Sequence, residues 1–367
     1  MRANRIPWLL LMGIAILAVV IACEDDGGGD ATPANGDAQN GEEETTGRIL
    51  EDVRNRGSLV CGVNDAVPGF GFVEADGSYS GFDVDFCKAL ALAVLGDADA
   101  IEYVPLTAEA RLTAVQTGQV DVLSRNTTWT LGRDASSGLS FATTTFYDGQ
   151  GMMVRTADGF ATVDDLADAT ICVLQGTTTE LNLADRLPNS TALGFEENET
   201  LQTAFIEERC DGWTSDASQL AARRSAFPED AGGPDSLVLL DEIFSKEPLG
   251  PVTIDNDDQW FDIVNWTAIG LITADEMGLT SANIDDFVAA PTNAEMARFL
   301  GVPFEGGELF DGGLGLDADF MQGVIRGLGN YGEIYDANVA AVIDLPREGT
   351  LNASWTDGGL IYAPPWR

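Results

Sequence analysis

Residues 121–130 read Asp-Val-Leu-Ser-Arg-Asn-Thr-Thr-Trp-Thr, a short apolar run that leads directly into a polar loop. Working outward, β-rich runs alternate with segments whose apolar residues recur at helical spacing. The predicted elements are strands 58–63, 101–106 and 120–123 and helices 82–95 and 109–117. This order of strand, helix, strand, helix and strand predicts a doubly wound, mostly parallel sheet.

A second unit of the same kind follows further along the chain. Its predicted elements are strands 170–174, 191–195 and 237–240, a helix that begins at 178 and a helix over 200–208. The chain from 48 to 367 also exceeds the usual size of one domain. We therefore expect two doubly wound α/β lobes.

Extended segments at 149–154 and 249–254 bracket the second unit and are candidates for chain crossings between the lobes. The predicted division is 48–150 plus 255–367 for lobe 1 and 151–254 for lobe 2. Residues 259–277 carry apolar residues at helical spacing and should pack back on lobe 1. A helical C-terminal extension follows, and the pattern alone does not place it.

The first residues have the form of a secretory signal, with a basic start and an apolar run from Leu9 to Ala22 that is short for a membrane span. Small residues then precede Cys23, which resembles the lipid-attachment site of bacterial lipoproteins. We expect a signal peptide over 1–22, acylation of Cys23, and a flexible acidic linker over 23–47 that tethers the protein outside the cytoplasm. The alternative is an uncleaved anchor with an incidental cysteine.

The charge balance is strongly acidic, with 60 Asp and Glu against 19 Lys and Arg, no histidine and a formal net charge of −41. Nucleic acid and anionic lipid surfaces would be repelled, so neither is an expected partner. The only lysines are Lys88 and Lys246. This composition suggests a surface suited to salty surroundings, where self-repulsion is screened.

Four cysteines remain once Cys23 is assigned to lipid, and they permit three connectivities. We favour Cys61–Cys87 and Cys172–Cys210, because each pair then lies within one predicted lobe. Buried reduced thiols are the alternative in a compartment that is not oxidising.

Ligands of open α/β sheets bind beyond the carboxyl ends of strands, where loops and helix N-termini meet. Three polar clusters occur at such positions: 124–134 after the strand 120–123, 175–180 after the strand 170–174, and 214–218 after Cys210-Asp-Gly-Trp213. An amino acid is a zwitterion, and Arg133 offers a fork of donors for its carboxylate while Asp216 offers an acceptor for its ammonium. Thr128 and the amides around Thr177 and Thr178 add hydrogen bonds.

Each cluster also has a purely structural interpretation. Thr177 and Glu180 fit a capping box, and Asp216 fits the N-cap of a helix that runs to Arg224. Arg133 could form a surface ion pair of little energetic value. The placement of all three clusters after strands favours a binding site.

Catalytic signals are weak. The lack of histidine removes the commonest general base and the commonest nitrogen ligand of metals. Neither a Gly-x-Ser-x-Gly elbow nor a phosphate-binding P-loop occurs. We therefore expect a binding protein without enzymatic activity, metal or cofactor.

At these clusters the chain resembles the polar amino-acid family of ABC-transporter solute-binding proteins, and especially the general L-amino-acid binders. The resemblance covers 48–367. The segments that carry it are GFDVDFC at 81–87, DVLSRNTTWT at 121–130, YDGQG at 147–151, QGTTTE at 175–180, SKEPLGP at 245–251, GNYGEI at 329–334 and GLIYAPP at 359–365. It implies a two-lobed fold of the type II periplasmic binding proteins, with two hinge crossings.

The resemblance also implies roles for particular residues. Arg133 and Thr128 grip the α-carboxylate, Thr178 assists from the other lobe, Asp216 holds the α-ammonium, and Asn126 lines the same pocket. Many relatives place an aromatic ring over the ligand in the loop that follows the first strand. Here that loop begins at Asn64, which we include in the predicted pocket, and Val67 occupies the aromatic position.

In that loop Phe70 and Phe72 are the candidates to replace the missing aromatic ring. The implied activity is capture of L-amino acids of varied side chain by hinge closure, followed by delivery to an ABC permease, by a protein expected to be monomeric. The alternatives are a dehydratase of cyclic carboxylates on the same fold and a receptor subunit that signals without transport.

Overall fold

The computed structural model describes residues 48–367, which lie within one compact unit of the chain. The predicted signal peptide, Cys23 and the linker lie outside these residues. Within 48–367, no helix combines the length and the apolar character needed to cross a bilayer.

The strands of the described chain are short, and most are separated by helices. In chain order they are β1 Leu59–Val63, β2 Ala66–Val67, β3 Gly71–Val73, β4 Tyr79–Ser80, β5 Ile101–Pro105, β6 Val122–Leu123, β7 Leu139–Phe141, β8 Phe146–Asp148, β9 Gln150–Arg155, β10 Thr170–Leu174, β11 Thr191–Phe195, β12 Gly212–Asp216, β13 Leu237–Leu239, β14 Glu247–Leu249 and β15 Val252–Ile254.

The helices include the long α8, which begins where the Asp257 side chain accepts a hydrogen bond from the Trp260 amide. Such capping satisfies an amide that the helix itself leaves unpaired. The helices are α1 Arg48–Arg56, α2 Phe82–Leu95, α3 Arg111–Gln116, α4 Leu131–Ser136, α5 Thr178–Arg186, α6 Asn198–Ile206, α7 Ala217–Ser225, α8 Asp258–Glu276, α9 Ile284–Ala289, α10 Ala294–Phe299, α11 Phe320–Leu328, α12 Tyr331–Tyr335 and α13 Ala341–Ile343. A π-helical turn, Asp336–Ala340, joins α12 to α13.

The first sheet has the order β5-β1-β6-β15-β7. Strands β5, β1 and β6 are parallel, and β15 runs antiparallel between β6 and β7. Every residue of β1 is buried, as expected for a central strand covered by helices on both faces. The predicted doubly wound arrangement is confirmed for this sheet.

The second sheet repeats the same plan in the order β11-β10-β12-β9-β13. One element was predicted wrongly: the third parallel strand is β12, whereas the predicted strand 237–240 is the antiparallel edge strand β13. Strand β12 reads Gly-Trp-Thr-Ser-Asp, and every one of its residues is buried. Its polar composition is not typical of a buried strand, so the sequence pattern did not predict it.

A two-stranded antiparallel ribbon of β8 and β14 connects the two sheets. The chain leaves the first sheet after β7, passes through β8 into β9, and returns from β13 through β14 to β15. The crossings therefore lie just before the predicted segments 149–154 and 249–254. Because β15 pairs with β6 and β7, residues 252–254 belong to the first sheet and not, as predicted, to lobe 2.

Two disulfides are present, Cys61–Cys87 and Cys172–Cys210, with Cα atoms 6.2 and 5.7 Å apart. The first links β1 to α2, and the second links β10 to the turn before β12. These are the pairings favoured from the sequence. Each closes a loop of a size at which a disulfide stabilises a fold by about 3–4 kcal/mol.

The C-terminal helices pack on the first lobe, where α11 lies against α2 and α8. Their apolar side chains share one core cluster with α2, α8 and the ribbon. At its centre are edge-to-face contacts of the Phe82 ring with Phe146, Tyr331 and Tyr335. The predicted helical extension is thus part of the first lobe's core.

Candidate functional site

A narrow cleft lies where loops of the two sheets meet. From the first lobe it is lined by Ala108, Arg111, Arg125, Asn126 and Thr128, and from the second by Leu174, Thr177, Thr178, Thr179, Ser215, Asp216 and Gln219. The lining is almost entirely polar. The three predicted clusters converge here: the first two follow the carboxyl ends of β6 and β10, and the third contains the last residues of β12.

Asn126 lies in the turn after β6 and connects the two sides of the cleft. Its side-chain amide donates to Asp216 Oδ2 at 3.3 Å and to Gln219 Oε1 at 3.1 Å, while its Oδ1 accepts from Asn64 Nδ2 at 3.2 Å. Its backbone φ is +24°, a region that asparagine enters more readily than most residues. The backbone amide of Asn126 donates to Asp83 Oδ2 at 2.6 Å, and this hydrogen bond holds the turn in place.

Other contacts also cross between the lobes. The hydroxyls of Thr128 and Thr178 are 3.4 Å apart, and Arg133 Nη2 donates to the Gly176 carbonyl at 3.4 Å. A Cβ atom on Gly176 would lie 2.8 Å from Glu109 Cα in the opposite lobe. The lobes are therefore in a closed arrangement.

Arg133 lies on α4, at the edge of the cleft. Its guanidinium donates to the backbone carbonyls of Thr128, at 3.0 Å, and Gly176. Burial lowers the pKa of Arg133, and the nearby carboxylates Glu247 and Asp216 oppose that shift. Its hydrogen bonds to main-chain carbonyls, one of them in each lobe, do not match the surface ion pair considered from the sequence.

Asp216 ends β12 and is buried in the cleft. Its side chain makes no capping hydrogen bond to α7. Asp148 of the ribbon does that instead, since its carboxylate accepts hydrogen bonds from the amide and the hydroxyl of Ser218. The capping interpretation of Asp216 is therefore wrong, and its carboxylate is turned toward Asn126.

The pKa of Asp216 lies well above the usual range of an aspartate, chiefly because of burial and also because Asp148 and Glu247 repel its charge. Arg111 and Asn126 oppose this shift. Burial likewise raises the pKa of Asp148 to about 6. A cation placed between these carboxylates would relieve their repulsion.

Thr177 caps α5 as its sequence context suggested, but the capping box is not complete, because Glu180 binds the amide of Gly176 and not that of Thr177. The Thr177 hydroxyl accepts from the Glu180 amide at 3.0 Å and so caps α5, and Glu180 Oε2 accepts from the Gly176 amide at 3.0 Å. The next residue, Thr178, donates its hydroxyl to Glu247 Oε2 at 2.7 Å. Both threonines also line the cleft.

The structure does not bring Phe70 into the cleft. Its ring is buried in the first-lobe core, with ring centroids 5.1 Å from Phe146 and 6.2 Å from Phe82. Val67, at the position of the expected aromatic, is also fully buried. Apolar packing in the core therefore accounts for Phe70, and its predicted role in the pocket is not supported by its position.

Arg111, Arg125 and Gln219 line the cleft but were not predicted. Arg111 is buried, and its Nη1 lies 3.4 and 3.3 Å from the carbonyl oxygens of Arg125 and Asn126. Burial, reinforced by Arg125 and Arg133, lowers its pKa well below the usual value. The available signal was an arginine among the apolar residues of the predicted helix 109–117.

Two matching sheets, a connecting ribbon and a polar cleft that takes groups from both lobes define a two-lobed α/β binding protein of the type II periplasmic class. Residues 59–284 match the bacterial extracellular solute-binding proteins, family 3, and the chain belongs to that family. Among the described residues, no group of three or more His, Cys, Asp or Glu side chains is placed to hold a metal ion.

Similar proteins support the same class over most of the chain. It is 45% identical over 322 residues to the glutamate/glutamine/aspartate/asparagine-binding protein BztA of Rhodobacter capsulatus, covering 87% of this chain and 93% of the relative. It is 46% identical over 322 residues to the general L-amino acid-binding periplasmic protein AapJ of Rhizobium johnstonii, covering 87% and 92%.

A solved structure is also similar across nearly its whole length. It is an ABC transporter periplasmic binding protein from Brucella ovis with glutathione bound, at 41% identity and a TM-score of 0.81. The match covers 87% of this chain and 99% of that one. The family predicted from the sequence is confirmed.

Proposed function

We propose that the protein captures an L-amino acid between its two lobes and presents it to the permease of an ABC importer. The observation that supports this proposal is a guanidinium at the edge of the cleft, that of Arg133 on the first lobe, together with a buried carboxyl that lines it, that of Asp216 on the second. A zwitterion supplies the complementary pair. Relatives named for binding glutamate, glutamine, aspartate and asparagine, or L-amino acids generally, support this choice of ligand.

In this proposal Arg133 and Thr128 bind the α-carboxylate and Thr178 assists from the opposite lobe. The guanidinium of Arg133 would exchange its hydrogen bond to the Thr128 carbonyl for bonds to the ligand, which its planar fork suits. Asp216 accepts from the α-ammonium, and Asn126 holds the carboxylate of Asp216 in place. Thr177 orients the start of α5.

Capture proceeds by hinge closure about the ribbon of β8 and β14. The open form admits the ligand, and both lobes then contribute hydrogen bonds in the closed form. Contacts that run between the lobes in the closed arrangement, such as Asn126 to Asp216, support closure as the binding motion.

We further propose that the preference for side chains is broad. Most groups assigned above address the amino and carboxyl groups that all amino acids share. Among the described residues that line the cleft, none is aromatic. A pocket of this kind selects by hydrogen bonding and size more than by stacking on an apolar ring.

The proposed location is the outer side of the cell membrane, with the protein a monomer tethered through acylated Cys23. Two disulfides suit an oxidising compartment, which supports export. Mass spectrometry of protein purified from membranes tests the tether: a lipid-modified N-terminal cysteine is expected, and an unmodified Cys23 in the mature protein would contradict it.

Titration calorimetry with Arg133→Ala and Asp216→Ala tests whether these residues bind the carboxylate and the ammonium group of the ligand. Each substitution should weaken amino-acid binding by about 2–5 kcal/mol, because it leaves one charge of the bound ligand buried and unpaired. The exposed Asp168 of the second lobe provides a control, and Asp168→Ala should bind like the unsubstituted protein.

Unchanged binding in either site variant would remove that residue from the site. Turnover of a cyclic carboxylate by a protein that binds no amino acid would instead favour the dehydratase alternative.

A further inference from the structure

Residues 331–363, which we call the strap, lie beyond the segment 59–284 that matches the family. They comprise α12, the π-helical turn, α13 and the chain that follows. The strap contacts both the ribbon that joins the lobes and a helix of the second lobe. It is therefore placed to influence closure.

Asn352 binds the ribbon through both ends of its side-chain amide. Its Oδ1 accepts from the Tyr147 amide at 2.7 Å, and its Nδ2 donates to the Tyr147 carbonyl at 3.0 Å. Tyr147 is the central residue of β8 and lies opposite Pro248 of β14. Asn352 thus pairs with the edge of β8 as a neighbouring strand would.

The strap itself is fixed to the first lobe. Arg347 Nε donates to the Asn352 carbonyl at 2.9 Å, and the Arg347 guanidinium pairs with Asp275 of α8. The Tyr331 hydroxyl donates to the Thr145 carbonyl, immediately before β8, at 2.9 Å. Asn352 is therefore held from both sides and keeps Tyr147 with the first lobe.

Because Asn352 holds Tyr147 to the first lobe, bending of the ribbon must occur at the residues that follow Tyr147. The next residue, Asp148, accepts hydrogen bonds from the amide and hydroxyl of Ser218 in the first turn of α7. Helix α7 also carries Gln219, which lines the cleft, and follows Asp216 directly. A short path thus leads from the strap through the ribbon to the binding site.

The strap also contacts α7 directly, through α13. Ala222 of α7 belongs to the same buried apolar cluster as Val339 and Ile343 of the strap. Since α7 belongs to the second lobe and the strap to the first, rotation about the ribbon must shift these surfaces against each other. The contact stabilises the arrangement seen here, which is closed.

We propose that the strap holds α7 of the second lobe in the closed arrangement, and that Asn352 is a positioning residue that fixes the ribbon about which the lobes turn. A contact made only in the closed form shifts the equilibrium toward it. Because the ligand is held by both lobes, the same shift raises apparent affinity and slows release.

Two neighbouring residues of α13 provide a matched pair for the test. Ile343 is 5% exposed and belongs to the shared apolar cluster, whereas Val342 is 47% exposed. Without ligand, Ile343→Ala should increase the radius of gyration measured by small-angle X-ray scattering, and Val342→Ala should leave it unchanged. Equal radii for the two folded variants would overturn the proposal.

A second substitution, Asn352→Asp, excludes loss of core packing as the explanation of a larger radius. It keeps the side-chain size and only replaces the amide donor that binds the Tyr147 carbonyl. It should also enlarge the ligand-free protein and, with a bound amino acid, raise the dissociation rate several-fold. A radius and a dissociation rate equal to those of the unsubstituted protein would contradict the role of Asn352.

The scattering comparison needs no ligand, whereas the kinetic comparison rests on the proposed function. Failure of the unsubstituted protein to bind any amino acid would therefore refute the proposed function, and the ligand-free radii would still decide on the strap.

Discussion

At the scale of single residues, two aspartates at the cleft have different roles. Asp148 accepts the hydrogen bonds at the start of α7, and Asp216 is left to face the cleft. Asp216 is buried and Asp148 partly so, and the charge of Asp148 raises the pKa of Asp216. An incoming ammonium group offsets that shift, which makes binding dependent on pH.

Amino-acid affinity should fall as the pH is lowered from 8 to 5. The pKa of Asp216 is raised in the ligand-free protein, so at lower pH the carboxyl is protonated and must lose a proton before it can accept from an ammonium group. Calorimetry in buffers of different ionisation enthalpy should detect proton release on binding at pH 5. Affinity that is constant over this range would contradict the assignment of Asp216.

Two buried carboxyls, Asp83 and Asp148, affect the stability of the ligand-free protein in the opposite sense. The pKa of Asp83 is raised by burial to about 7 and that of Asp148 to about 6, both above the unfolded value of about 3.9. Between these values the folded state binds more protons than the unfolded state, so these groups lower stability as the pH rises. The Tm of the protein without ligand should therefore fall as the pH rises from 5 to 8, and a Tm that rises over this range would contradict the account.

Single residues were predictable where their chemistry was distinctive and their strand context was clear. The sequence placed Arg133 and Asp216 in polar clusters near strand ends, and the structure brings Asp216 into the cleft and Arg133 to its edge. Their roles in binding a zwitterion stay predictions. Arg111 was missed because a buried arginine within a helix looks like an exposed one in sequence. Phe70 was misassigned because a core aromatic and a pocket aromatic have the same local pattern.

At the scale of elements, the loop at the start of α5 limits how closely the lobes approach. Gly176 has φ +71°, and its α-carbon lies against the backbone of Glu109 in the other lobe. Both the backbone conformation and the close approach favour glycine. Closure therefore depends on the absence of a side chain at this position.

Gly176→Ala should weaken ligand binding at least tenfold, about 1.4 kcal/mol, because its methyl group would meet Glu109 as the lobes close. Gly159→Ala is a matched control: Gly159 has φ +74°, so the backbone strain is similar, but no atom lies within 4 Å of its added Cβ. Both variants should lose some thermal stability. Equal ligand affinities would show that the contact with Glu109 does not limit closure.

Elements were predicted well where apolar periodicity was strong and poorly where polar residues are buried. Strands β1, β5 and β6 and helix α2 match the prediction closely, whereas β7 was not predicted. Strand β12 was missed because it ends in Thr, Ser and Asp, of which Ser215 and Asp216 line the cleft and do not pack in an apolar core. The chain crossings were predicted a few residues too far along the sequence. An extended run of residues does not reveal whether its strand partners lie in a sheet or in the ribbon between the lobes.

At the scale of the whole molecule, the net charge of −41 dominates solution behaviour. Repulsion among carboxylates opposes the compact state and is screened by salt, since the Debye length falls from about 10 Å at 0.1 M to about 3 Å at 1 M. The Tm should therefore rise as sodium chloride increases over this range. A Tm that stays constant or falls would contradict an adaptation of this surface to salty surroundings.

The domain arrangement followed from two repeated units with extended segments between them, and both sheets and the ribbon are present. The sequence could not place the C-terminal helices, because their apolar faces are compatible with several surfaces of the first lobe. Only the folded chain reveals that Asn352 and Ile343 reach the ribbon and the second lobe.

Recognition of both charged groups of a free amino acid is tested most directly by blocking one group at a time. A thermal-shift screen first identifies the common L-amino acid that stabilises the protein most. Calorimetry then compares this amino acid with its N-acetyl derivative and its methyl ester. The free amino acid should bind in a 1:1 complex, and each derivative should bind about 2–5 kcal/mol more weakly, because Asp216 or Arg133 loses its partner. If either derivative bound as tightly as the free amino acid, the assignment of Arg133 to the carboxylate and Asp216 to the ammonium group would be contradicted.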